Sequence, residues 1–101
     1  MIDDKLLDIG AERAVLAGLI QHGIDGYISV ADFVTEDSFG HINNQILFKC
    51  LKNIFDNDQK VDVASIISSA TSLSLLESIN TPQELKYIKS LFNFPINKDN
   101  I

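Results

Sequence analysis

The chain has 101 residues, 46% apolar and 22% charged, with fourteen acids against eight bases and a net charge of −6. That balance belongs to one small globular domain rather than a disordered chain, and a domain of this length hides roughly 60% or more of its unfolded surface, enough for a modest core. One Arg and seven scattered Lys make no basic patch, which argues against direct DNA binding, and the lone Cys50 rules out an internal disulfide and any multi-cysteine metal site.

The acidic excess lies wholly in residues 1–37, which hold eight acids and two bases, while residues 38–101 hold six of each. The opening MIDDKLLDIG carries acids where a signal peptide carries bases, and no apolar run approaches the ~20 residues that span a bilayer. A cytoplasmic, reducing setting is expected, without membrane association.

In chain order, Asp8 is placed to cap a first helix with a body from Gly10 or Ala11 to about His22 and Gly23 as its stop. Ala11, Val15, Leu16, Gly18 and Leu19 form its inner face, and Glu12 falls between Leu16 and Leu19 on the helical wheel. Two readings of Glu12 stand at this point. It reaches a backbone amide or a cationic side chain at the edge of the core, or it is a partner-binding or catalytic carboxylate. The following GIDG marks a loop. Tyr27, Ile28, Val30, Ala31, Phe33 and Val34 then read as a short helix or turn, packed down by its apolar content.

Thr35 caps the next element, with Glu36 and Asp37 where a helix dipole favours acids, and Phe39 and Gly40 lead through a small break into a central helix over about 41–56. On that helix Ile42, Ile46, Leu47, Phe48, Cys50, Leu51, Ile54 and Phe55 sweep an apolar arc of roughly 240°, so it is expected to be the buried pillar of the fold. Asn43, Asn44 and Asn53 lie inside the arc, and any that is buried is expected to bond neighbouring backbone.

The polar run DNDQK is a turn, and Asp62 is the N-cap of a helix reaching about Ala70. The serine-rich stretch 65–78 carries Ile66, Ile67, Leu73, Leu75, Leu76 and Ile79 too regularly for a linker, and reads as two short helices divided near Thr71. Thr81, Pro82 and Glu84 spell a Thr cap, a proline in the first turn and a capping box, so a last helix begins there, with Leu85, Ile88, Leu91 and Phe92 inward and Lys86 and Lys89 outward. Phe94-Pro95 ends it. The fold class is all-α, a compact bundle of about five or six helices in a single domain over 1–101.

No phosphate-binding glycine loop is present, and His22 and His41 stand in no metal-ligand or nucleophile pattern. His22 reads as a favourable charge near a helix C-terminus and His41 as a surface or capping residue. No catalytic residue, cofactor or metal is assigned, which leaves interaction as the activity. Tyr87, Phe92, Phe94, Ile96 and Ile101 exceed what one short helix needs for its inner face. They are a candidate protein interface, or they close the bottom of the core.

In order along the chain, these residues resemble the N-terminal domain of DnaB-type replicative DNA helicases. The likeness runs through Ala11, Glu12, Ala14, Val15, Leu16 and Ala17 in the first helix, then Glu36, Asp37 and Phe39 ahead of the central helix, and Leu47-Phe48 within it. Val61-Asp62-Val63, then Tyr87, Ile88 and Leu91, and last Pro95, Asn100 and Ile101 complete it. Glu12, Leu16, Asp37, Phe39, Leu47, Phe48 and Asp62 are its signature. Asn44 stands where the family usually has His, Thr81-Pro82 replaces a glycine-rich step, and Pro95 is one residue further from Asn100, as in a divergent member such as a phage or mobile element carries.

The resemblance implies a non-catalytic domain that continues, in complete family members, into a helical hairpin and an ATPase motor, to which ATP and Mg belong; the chain is expected to be cut before that hairpin. It further implies a part in the collar of a hexameric ring and in docking primase and helicase loader, with no DNA binding of its own. The alternative is a stand-alone acidic helical adaptor or inhibitor unrelated to helicases.

Overall fold

The computed structural model describes residues 9–95. Six α-helices and one 3-10 turn follow one another: α1 Ile9–His22, α2 Ile24–Val30, the turn Glu36–Ser38, α3 Ile42–Asp56, α4 Val63–Ser72, α5 Leu76–Ile79 and α6 Pro82–Leu91. The fold is all-α, as expected. Asp8, the acid pair Asp3-Asp4, and Ile96, Asn100 and Ile101 lie outside the described residues.

α3 is the pillar. Ile46, Leu47, Phe48, Cys50, Leu51, Ile54 and Phe55 are buried, and α1, the 3-10 turn, α4 and α5 pack around it while α6 lies against α1. Burial pushes the Cys50 thiol up from its ordinary value, partly offset by Ser69, so the thiol sits in the core as a small apolar group. Ile42 departs from the expected arc: it is 64% exposed, because it opens the helix on the side away from the packed elements.

The local start signals act as read. Asp62 Oδ1 accepts from Ser65 N at 2.7 Å and Thr81 Oγ1 from Glu84 N at 3.1 Å, each satisfying a first-turn amide that has no intrahelical partner. The capping box at Thr81 is only half made, because the Glu84 carboxylate is drawn to Asn43 Nδ2 at 2.8 Å and ties α6 to α3 instead. The serine-rich stretch is two helices, as expected, but parted at Leu73–Leu75 rather than near Thr71, because α4 runs on to Ser72 before Ser74 turns the chain at φ 60.

The GIDG segment differs from its reading as a loop. Gly23 alone turns the chain, at φ 67, and α2 starts at once. Gly26 is a packing residue: a Cβ there would meet His22 Cβ at 3.0 Å and the Gly18 carbonyl at 3.3 Å, so its lack of a side chain lets α2 close on α1. Nor is the segment wholly packed down. Tyr27 stacks on Phe55 with centroids 4.9 Å apart, and Val30 and Val34 join the core, but Ile24, Ile28 and Phe33 are exposed.

Candidate functional site

Glu12 is the one charged side chain in the described core, at 0% exposure. Its position on the buried stripe of α1 brings it beneath the start of α3, where Gly40 and His41 break the helical path. Oε2 accepts from Gly40 N at 2.9 Å; Oε1 accepts from Asn44 Nδ2 at 2.7 Å and lies 3.0 Å from His41 Nδ1, which donates when it carries the proton. Asn44 is buried, and its Oδ1 accepts from Tyr87 OH at 2.7 Å. The Arg13 guanidinium lies over the Tyr87 ring, 5.4 Å from its centroid. The chain Glu12–Asn44–Tyr87 thus joins α1, α3 and α6 through side chains alone.

Burial pushes the Glu12 carboxyl up, but hydrogen bonds from Asn44, Gly40 and His41 and the attraction of His41 outweigh it, so the group is held below its ordinary value and is ionised. Tyr87 is pushed up, chiefly by burial and against the pull of Arg13 and Asn44, and keeps its proton as a donor. Among the described residues no buried side-chain polar atom lacks a partner. Both carboxylate oxygens are therefore bonded within the protein, by three donors in all, which makes Glu12 a clamp on the start of α3. Of its two readings, the bond to a backbone amide at the edge of the core holds. The expectation for Asn44 is corrected: it bonds two side chains, because its two-sided amide alone can accept from Tyr87 while donating to Glu12.

His41 occupies the N-cap position of α3 without a side-chain cap bond, since its ring turns to Glu12 with 48% of the side chain exposed. The grooves along Asn80–Lys89, between Glu36 and Leu75, and beside Tyr27 are lined by neither Glu12 nor His41. No group of three His, Cys, Asp or Glu among the described residues is placed to hold a metal.

Of the residues singled out as a candidate interface, Tyr87, Phe92 and Phe94 are partly buried against the core, and Ile96 and Ile101 lie outside the described residues. Gln21 Nε2 donates to the carbonyls of Leu91 at 3.0 Å and Phe94 at 2.8 Å, fastening this end of α6 to α1. Of the signature residues, Glu12, Leu16, Phe39, Leu47 and Phe48 are buried, with the Phe39 and Phe48 rings 5.4 Å apart, while Asp37 is exposed and Asp62 caps α4. The five buried ones belong to the core around α1 and α3, while Asp37 and Asp62 lie outside it.

A family model, the DnaB-like helicase N terminal domain, matches residues 4–101. The chain belongs to that family. No curated protein and no solved structure matches it. Family membership, over nearly the whole chain, sets aside the unrelated acidic adaptor. It also agrees with the fold: the helicase-type N-terminal domain is all-α here, built on the Glu12 joint, and no helix among the described residues is long and apolar enough to cross a membrane.

Proposed function

We propose that this domain works by protein contacts within a replicative DNA helicase of the cytoplasm, contributing to the collar of a hexameric ring and docking primase and helicase loader. The observation that carries the reading is the family match over residues 4–101. The buried network supports it, because the one carboxylate in the described core is engaged in holding three helices together and a rigid scaffold is what a docking module needs. ATP and Mg belong to the motor domain of the complete helicase in this reading, and DNA is held by other parts of it. The acidic excess of residues 1–37 agrees, since it repels phosphate.

Titration calorimetry of the chain against the cognate primase and loader tests the proposal. Saturable binding of at least one is expected. Absence of binding by both, to the chain and to the complete helicase polypeptide, would overturn it.

A further inference from the structure

We propose that the exposed stripe of α2 is a docking face for an amphipathic helix with basic flanks, presented by another protein. This rests on the reading of the chain as a protein-interaction domain and names the surface and the chemistry of the partner.

At 100° per residue Ile24 and Ile28 stand one turn apart on a single stripe, with Ala31 continuing it. They are exposed by 47% and 66%, and Phe33, held just beyond the helix by its N–H to the Val30 carbonyl, by 80%. The rest of α2 is already used: opposite the stripe Gly26 is pressed on α1, and on its flank Tyr27 is stacked on Phe55. Three large apolar side chains left in water within ten residues are more than scattered surface apolars, and such a concentration points to a contact surface. Beside the stripe, an open groove of about 280 Å³ is lined by Tyr27, Ala31, Val34, Phe48, Glu36 and Lys52, room enough for a side chain of a docked helix.

Charge selects the occupant. No Lys or Arg occurs between Arg13 and Lys49, and that span holds Asp25, Asp32, Glu36 and Asp37. Asp25 and Asp32 are exposed; Asp25 lies about 60° to 100° around the helix from Ile28 and Ile24, and Asp32 stands in the turn that follows α2. The cation shown facing this region is Lys52, which shares the groove with Glu36. An anionic membrane surface or a nucleic acid is repelled by this rim. A second copy docked on the same face would bring a second set of the same acids to an already acidic rim. A partner helix with Leu-type residues on one side and Lys or Arg at its edges meets both the stripe and the rim.

The test is an amide-resolved NMR titration of the 101-residue chain with a synthetic Leu/Lys amphipathic peptide, alongside a scrambled peptide of equal composition and a Leu/Glu peptide of equal pattern. Perturbations concentrated on residues 24–34 are expected for the Leu/Lys helix only. Ile28→Glu should weaken binding by about tenfold or more, and Asp25→Asn combined with Asp32→Asn should weaken it and flatten its salt dependence while leaving the apolar stripe intact. Equal binding of the scrambled peptide, perturbations centred elsewhere, or wild-type affinity in Ile28→Glu would overturn the proposal. So would a dimer whose interface is α2, or contacts from residues 1–8 to Ile28 in the unbound chain. The same variants titrated with the cognate primase and loader separate the two readings. Binding unaffected by Ile28→Glu would leave the helicase-docking function standing and remove α2 from it, whereas loss of all partner binding by the wild-type chain would remove the function and leave the peptide result to judge the α2 face.

Discussion

The Glu12 joint and the α2 face lie on two sides of α1 and treat their side chains in opposite ways. At the joint every buried side-chain polar atom is paired inside the protein, over spans of 28 to 43 residues in sequence, and the aromatic ring of Tyr87 is half-withdrawn from water. On α2, Ile24 and Ile28 point outward, and Phe33 does so just beyond it. A closed network stabilises but has nothing left to offer a partner. An open apolar face contributes little to stability and has recognition available to it. Substitutions on the two sides should therefore separate stability from binding.

The largest effect on stability is expected at Glu12. Glu12→Ala leaves the buried Asn44 amide without its acceptor and frees the Gly40 N–H, and should lower the unfolding free energy by about 3 kcal/mol in urea titrations. An equal loss from Ile28→Glu would erase the contrast. Acid exposes the same group. Because the folded carboxyl sits below its ordinary value of 4.5, its contribution is fully present above that value and is lost as pH falls through the lower folded value. Urea stability measured from about pH 7 down to about pH 3 should fall more steeply in the wild type than in Glu12→Gln over the acidic end.

How much of this is legible from sequence depends on how local the cause is. Asp62 and Thr81 announce their helices because cap and amide are three residues apart. The apolar density of α3 announces a central helix because burial on most sides demands it. The function of Glu12 is half legible: its misplacement on an apolar stripe is visible at once, but its donors arrive from Gly40, His41 and Asn44, and no local pattern says which turn the chain will lay over it. Glu84 fails the same way, since its expected cap bond loses to an Asn43 that only the tertiary fold supplies. The glycines of GIDG read as a loop because composition does not distinguish a glycine that turns the backbone, Gly23, from one that lets two helices touch, Gly26. Apolar content likewise does not say which way Ile28 and Phe33 face.

Smaller effects sharpen the contrast. Gly26→Ala forces a methyl into the α1–α2 crossing and should cost about 1–3 kcal/mol by thermal or urea unfolding; a neutral result would show that α2 is free to shift. Tyr87→Phe removes the donor to Asn44 and should cost about 1 kcal/mol. Phe33→Ser, on the exposed side, should stay within about 0.5 kcal/mol of the wild type.

The most direct test of this division is a paired measurement on Glu12→Gln and Ile28→Glu, each followed by urea unfolding and by titration with the Leu/Lys peptide under conditions where both are folded. Glu12→Gln is expected to lose stability and keep its affinity, and Ile28→Glu to keep its stability and lose affinity by about tenfold or more. The reverse pattern, with binding lost in folded Glu12→Gln and retained in Ile28→Glu, would contradict it and move recognition to the buried joint.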